Sequence, residues 1–223
     1  MCLSHYTEGV ETIIMTERHQ LIYLKKQPKF ELTSTHQHTD AIRQAIASWL
    51  DAGLPCIYTR QPDSNTSSIH LGLTVLIEKQ RHRAGLVINE AMIERISPLP
   101  TLNECLERFE HVQYTHVYGS FLFQYLSKDT LFSPSSFVNK YSDLDLLIDY
   151  RQASLKDLVH HISAVSDATQ RRIDGEIRFK GIGDVSIHEL LNTVSDQLLV
   201  KTSNHTFLMS RNTLYESYPG LLG

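Results

Sequence analysis

The chain has few of the features that mark secreted, membrane or nucleic-acid-binding proteins. It has no apolar run long enough to span a bilayer and no basic segment followed by an apolar leader, so we expect neither membrane insertion nor export. Its formal net charge of −4 lacks the excess of basic residues that broad nucleic-acid binding needs. Its three cysteines have no paired spacing, which favours reduced thiols. These absences predict a cytoplasmic protein with no membrane and no nucleic-acid partner.

The composition is that of an ordinary globular protein. The 223 residues, 41% hydrophobic and 21% charged, are enough for one large or two small domains with cores. Two prolines at positions 98 and 100 interrupt the chain and predict a boundary there. We therefore expect an N-terminal domain over residues 1–97, which would dock substrate or a carrier protein, and a catalytic domain over residues 98–223.

The N-terminal part combines a helical and a strand pattern. Asp40 is predicted to cap a helix that Gly53 and Pro55 end. Within residues 69–77, apolar side chains occupy every second position, as in a strand with one buried face. Residues 84–88 are predicted to pair with that strand through a basic turn around residues 80–83.

A glycine-serine turn follows a short apolar strand in the C-terminal part. The run Val-Tyr-Gly-Ser at residues 117–120 is followed by a helical segment. Glycine has no Cβ, so the backbone N–H groups of such a turn, together with the helix N-terminus, can approach a phosphate. Gly119 and Ser120 are therefore predicted phosphate ligands. No Gly-X-Ser-X-Gly elbow surrounds Ser120, so we do not expect it to act as a nucleophile.

Two further segments carry acidic side chains on predicted strands. In residues 142–148, alternation points Asp143 and Asp145 to one face, and two carboxylates on one face suit a hard divalent cation. In residues 171–179, the same period points Asp174 and Glu176 to one face and leaves apolar residues for the core. Each motif alone is weak, because Gly-Ser turns and Asp-X-Asp strand ends are common. Their order, however, is typical of nucleotidyl transfer, in which a metal neutralises charge at phosphorus.

These motifs resemble one family over nearly the whole chain: malonate decarboxylase holo-acyl-carrier-protein synthase, also called phosphoribosyl-dephospho-CoA transferase. One departure is a longer, serine-rich loop from Ser127 to Ser142. The resemblance implies an α+β protein, with an N-terminal α/β domain followed by a nucleotidyltransferase-fold domain on a small mixed sheet. The segments that carry the resemblance are residues 19–24, 55–60, 81–88, 117–124, 142–147, 173–177, 198–202 and 211–214.

The resemblance also implies a reaction. The enzyme would use 2'-(5''-triphosphoribosyl)-3'-dephospho-CoA to modify a serine of the apo acyl carrier subunit of malonate decarboxylase, releasing pyrophosphate. Asp143 and Asp145 would hold Mg²⁺ or Mn²⁺. Either Asp174 or Glu176 would accept the serine proton or complete a second metal site, and the sequence does not separate these roles.

Two basic residues join the expected substrate site. Lys201, which follows an apolar strand, would reach a phosphate as a point charge. Arg60 would pin the triphosphate or the carrier, and the alternative is that it only solubilises a strand end.

Two other functions remain open at this stage. One is a different transferase of the same fold, such as a citrate lyase holo-carrier synthase. The other is a binding module that keeps the fold but has lost the chemistry. The presence of all four carboxylates favours an enzyme.

Overall fold

The computed structural model describes residues 17–33, 39–62, 67–107, 109, 114–130 and 137–223. Within these ranges, twelve strands form two six-stranded sheets, with α-helices packed against them. This arrangement confirms the predicted α+β class. No helix in the same ranges combines the length and apolar character needed to cross a membrane.

The first sheet is built before residue 98. All of its strand pairs are antiparallel, so the N-terminal region is not a parallel, doubly wound α/β unit. Asp40 lies inside the helix of this region rather than at its cap, because the helix already includes Thr39. The elements are β1 (Leu21–Leu24), β2 (Glu31–Leu32), α1 (Thr39–Asp51), β3 (Cys56–Tyr58), β4 (Ser68–Ile77), β5 (Gln80–Asn89) and β6 (Ile93–Ser97), with strand order β2-β5-β4-β3-β1-β6.

The core of this region follows its sequence periods. In α1, Ile42, Ile46 and Trp49 are buried on one face, as spacings of four and three residues require. The indole of Trp49 donates a hydrogen bond to the Pro55 carbonyl at 2.9 Å, which satisfies its buried N–H. In β4, every second side chain is buried, as the alternation predicted.

The β4–β5 hairpin turns earlier than predicted. Its two turn residues are Glu78 and Lys79, with φ of 50° and 66°, and residues 80–83 belong to β5. Positive φ at both central residues matches the twist of a two-residue hairpin. The turn lacks the glycine or asparagine that usually signals this geometry, which is why the sequence pattern misplaced it. As a result, Arg81 and Arg83 lie on a strand.

The second sheet is mixed, as expected for the catalytic region. Strands β8 and β9 are parallel and are joined by helix α4, whereas the other neighbours are antiparallel. The elements are α2 (Leu102–Leu106), β7 (Thr115–Tyr118), α3 (Gly119–Ser127), β8 (Leu144–Asp149), α4 (Leu155–Thr169), β9 (Ile173–Phe179), β10 (Gly183–Ser186), α5 (Ile187–Leu191), β11 (Gln197–Lys201), β12 (Thr206–Ser210) and α6 (Arg211–Ser217), with strand order β12-β11-β10-β9-β8-β7.

The two faces of the second sheet have different roles. One face of β8 and β9 packs its apolar side chains into a core with α4, α5 and α6. The opposite face carries the acidic residues and also Leu147, which packs with Leu21 of the first sheet. Phe123 of α3 packs in turn against Trp49, with ring centroids 5.6 Å apart. The acidic face therefore looks toward the first sheet, and the candidate site lies where the two sheets meet.

The structure describes the serine-rich loop and the cysteines only in part. Part of the serine-rich loop, residues 131–136, lies outside the described residues, as does Cys2. Cys56 is buried and Cys105 is partly buried, and burial raises the pKa of each thiol to about 12. Both thiols are therefore protonated and unreactive at neutral pH.

Candidate active site

Two carboxylates lie side by side at the start of the parallel strand pair. Asp145 on β8 is directly opposite Asp174 on β9 in the strand register, and both point to the face that looks toward the first sheet. Burial, followed by the charges of Asp174 and Asp143, raises the pKa of Asp145 to about 6. Asp174 remains more open, with 45% of its side chain exposed. The pair concentrates negative charge that a cation would relieve.

The first residue of α3 touches this pair. Gly119 has φ of +64°, and a Cβ there would collide with Asp145 Oδ2 and lie only 2.7 Å from its Cγ. The position thus requires glycine both for backbone conformation and for space. The N-terminus of the nine-residue helix α3 therefore lies against the acidic pair, with Ser120 partly exposed in its first turn. Free N–H groups at a helix start favour anions such as phosphate.

Asp143 has a partner that the sequence did not indicate. Arg172, just before β9, donates from Nε to Asp143 Oδ1 at 2.8 Å and from Nη2 to Oδ2. These hydrogen bonds hold the pKa of Asp143 below its usual range. Both oxygens of Asp143 are thus engaged, while those of Asp145 face Asp174 and Gly119. Arg172 is 69% exposed, so its side chain has room to leave Asp143.

The first sheet supplies basic residues to the site. The positive charges of Arg83 and Arg81, both on β5, act on Asp145 and oppose the rise in its pKa. Arg81 also donates a hydrogen bond to the Phe137 carbonyl at 3.2 Å, which ties β5 to the loop that precedes β8. An acidic pair therefore lies against a helix N-terminus, within the electrostatic influence of two arginines.

Glu176 lies two residues beyond Asp174 on the same face of β9 but in a different setting. Arg18 donates to both of its oxygens at 3.0 and 3.3 Å, Lys201 donates to Oε1 at 2.8 Å, and the His19 ring lies 2.9 Å from Oε2. Burial alone would raise the pKa of Glu176, but the hydrogen bond from His19 and the charge of Arg18 outweigh it and hold that pKa well below its usual range. Glu176 is therefore ionised and its charge is balanced by neighbouring basic side chains; whether it is the catalytic acid stays a prediction.

The same cluster contains a set of atoms with metal-ligand chemistry. His19, Glu176 and Asp184 offer ligand atoms within 4.8 Å of one another. Arg18 already donates to Glu176 at 3.0 Å and to Asp184 at 3.1 Å. The Arg18 guanidinium already supplies the positive charge that these acids need. The cluster therefore does not fit a metal ion.

Family models match the chain in two consecutive segments. The model of the phosphoribosyl-dephospho-CoA transferase MdcG N-terminal domain matches residues 17–98, and that of the MdcG C-terminal domain matches residues 87–212. The chain belongs to the phosphoribosyl-dephospho-CoA transferase family. It is therefore a transferase enzyme that acts on a phosphoribosyl-dephospho-CoA group. Comparisons with curated proteins and with solved structures gave no match.

The two remaining residues predicted for this transferase site lie apart from the acidic pair. Lys201 is bound to Glu176, so its charge is already used within the described residues. Arg60 is exposed and lines a shallow depression with Asn204 and His205, a lining that contains none of the four predicted carboxylates. The structure thus brings Gly119, Asp145 and Asp174 into contact but places Arg60 elsewhere.

Three residues near the candidate site escaped sequence reasoning. Arg172 could have been suspected, because it stands immediately before the strand that carries Asp174. Arg18 gave no signal, and His19 appeared only as the first residue of a segment that resembles the family. Neither could be connected with Glu176, since more than 150 residues of chain lie between them. The His19 ring also lies 4.5 Å from the ring of Tyr118, next to the glycine turn.

Proposed function

We propose that this transferase moves the 2'-(5''-phosphoribosyl)-3'-dephospho-CoA group from its triphosphate precursor to a serine of the apo acyl carrier subunit of malonate decarboxylase. The observation that carries the proposal is the Asp145–Asp174 pair against the N-terminus of α3 in a member of this family. That arrangement provides both a mount for a cation and donors for a phosphate chain.

The bond changes follow from this chemistry. The serine oxygen forms a bond to the α-phosphorus of the triphosphate, and the bond from that phosphorus to the leaving pyrophosphate breaks. The serine proton passes to Asp174, which is the more exposed acid of the pair. Glu176 is a poor acceptor, because its pKa is depressed and both oxygens accept hydrogen bonds.

The donor set fits a divalent ion. Asp145 and Asp143 offer carboxylate oxygens on one face of the sheet. Burial, followed by the charges of Asp174 and Asp143, raises the pKa of Asp145, and a bound cation would oppose that rise. We propose that Asp145 holds Mg²⁺ or Mn²⁺, joined by Asp143 once Arg172 has released it, while Asp174 remains free to accept the serine proton. When bound, the ion would neutralise charge on the phosphoryl oxygens.

The protein's own donors would orient the triphosphate. Backbone N–H groups at the start of α3 face the acidic pair, where the absent side chain of Gly119 leaves them open. The Ser120 hydroxyl would add one contact. Arg81 and Arg83 would bind the departing pyrophosphate and stabilise its charge.

A mass measurement tests the proposed transfer. The protein is incubated with Mg²⁺, the triphosphoribosyl compound and the apo carrier of malonate decarboxylase, and the carrier is then weighed. We expect its mass to rise by one prosthetic group, and the gain to disappear in excess EDTA. The apo carrier of citrate lyase serves as the matched control. Modification of that carrier alone would identify the other holo-carrier synthase, and modification of neither carrier would contradict the proposal.

A further inference from the structure

A cavity of about 460 Å³ opens at the far end of the acidic face. It is formed where β8 and β9 end, whereas Asp145 and Asp174 lie where these strands begin. Residues 17–18, the β9–β10 turn and the end of β11 complete its walls. Asp174 and Arg178 are four residues apart on the same face of β9, which separates the acidic pair from the cavity by about 13 Å.

The cavity has an excess of positive charge. Two of its acids are already paired, since Arg178 binds both oxygens of Asp184 and also contacts Glu17 at 3.0 Å. The third, Asp149, lies 3.4 Å from the His116 ring. The lining contains five basic residues, Arg18, Arg151, Arg178, Lys180 and Lys201, and three acidic ones, Glu17, Asp149 and Asp184. Glu176, which binds Arg18 and Lys201, lies beside it, so five basic side chains face four acidic ones.

Among the described residues, Arg151 and Lys180 are the two basic residues of the lining without a close carboxylate partner, although the charge of Arg151 also acts on Asp149. Both side chains are exposed, and neither forms an ion pair within the part of the chain that the structure describes. Gly181, next to Lys180, also lines the cavity and has open space where a Cβ would be. A ligand can therefore approach the backbone of the β9–β10 turn between two unpaired cations. The chemistry is that of a site for an anion of the phosphate class.

We infer that this cavity binds the pyrophosphate of the dephospho-CoA arm of the substrate while the triphosphate arm lies at Asp145 and Asp174. This inference rests on the proposed function. The substrate carries two phosphate chains separated by ribose units, so an enzyme that orients it needs two separate anion sites. Lys201 and Arg18, which lie beside Glu176 and also line the cavity, bridge the space between them.

Calorimetric titration with dephospho-CoA tests the cavity without the triphosphate arm. The full-length protein should bind dephospho-CoA saturably, and the double variant Arg151→Glu, Lys180→Glu should bind it about 10- to 100-fold more weakly, as loss of charge-assisted hydrogen bonds predicts. The matched control, Lys29→Glu with Lys156→Glu, reverses two exposed charges elsewhere and should bind like the unaltered protein. ADP should show the same dependence, whereas pantetheine, which has no phosphate, should not bind.

A second variant separates this inference from the proposed function. Asp145→Ala should bind dephospho-CoA normally, because that ligand does not reach the acidic pair. In the transfer assay, the cavity double variant should raise KM for the triphosphoribosyl substrate about tenfold or more and leave kcat unchanged. Equal dephospho-CoA affinity in the cavity and control variants, or no saturable binding at all, would overturn the inference. The mass measurement on the carrier would stand independently of that result.

Discussion

Asp174 and Glu176 lie two residues apart on one face of β9, yet their surroundings give them opposite properties. Asp174 faces another carboxylate and stays partly exposed, whereas Glu176 is buried among Arg18, His19 and Lys201. Burial, together with the charges of Asp174 and Asp143, raises the pKa of Asp145, whereas the hydrogen bond from His19 and the charge of Arg18 outweigh burial and depress the pKa of Glu176. Residue type and strand face therefore do not reveal whether a carboxylate takes part in a reaction or balances the charge of its neighbours.

Removing an acid from the repulsive pair should have the largest effect. Asp145→Ala should lower transfer by about 10⁴-fold, because the variant loses a cation ligand that is worth several kcal/mol to the reaction. Its unfolding midpoint should not fall, since the lost charge is repelled in the native state. Transfer is measured by carrier mass over time. Asp167→Asn, an exposed acid on α4, is the control, and a wild-type rate for Asp145→Ala would refute the site.

The two acids of β9 should respond in opposite ways to neutralisation. Asp174→Asn should reduce transfer about 10²- to 10³-fold through loss of the proton acceptor, with little change in stability. Glu176→Gln should instead lower the free energy of unfolding by about 3 kcal/mol, because it leaves buried cations partly unpaired. Urea unfolding and transfer rates, measured on both variants, check the contrast. If Glu176→Gln were fully stable but inactive, Glu176 rather than Asp174 would be the acceptor.

Gly119 can be tested against a glycine of similar conformation. Gly119→Ala should cost about 2 kcal/mol more stability than Gly53→Ala, because both have positive φ but only Gly119 touches Asp145. Thermal or urea unfolding gives the difference. In an Asp145→Ala background the extra cost should disappear. An equal cost at the two glycines would show that the contact with Asp145 is unimportant.

The smallest expected effect is on the pH dependence of stability. The pKa of Asp145 is raised from 3.8 to about 6, so the folded protein holds a proton that the unfolded chain releases between these values. Asp145 therefore makes the free energy of unfolding fall as the pH rises from about 4 to about 6, and the free energy stays lower above pH 6. Relative to Asp145→Asn, the wild type should lose about 1 to 2 kcal/mol between pH 4 and pH 8, after allowance for partial exposure.

Urea unfolding in EDTA at several pH values measures this difference. Adding Mg²⁺ at pH 8 should raise the free energy of unfolding of the wild type more than that of the variant, because only the wild type keeps the Asp145 carboxylate as a metal ligand. A pH-independent difference would mean that Asp145 is not repelled by its neighbours.

Local periodicity was enough to predict much of the fold. Side chains alternate along a strand, so the apolar residues of β9 identify its buried face and thereby the face that carries Asp174 and Glu176. The β4 pattern was equally clear. The exceptions were local too: the hairpin turn uses Glu78 and Lys79 in a conformation that their residue types do not signal, and α1 includes Thr39 ahead of its predicted cap.

The sequence by itself determined the α+β class, the glycine turn and the acidic strands, because these features depend on neighbours in the chain; the transferase function came from the family resemblance. Only the tertiary structure decided which acid is neutralised, which one Arg172 holds, and that the charges of Arg81 and Arg83 act on Asp145. Electrostatic environment depends on distance in space, and packing of the first sheet against the second brings together residues that no local pattern connects.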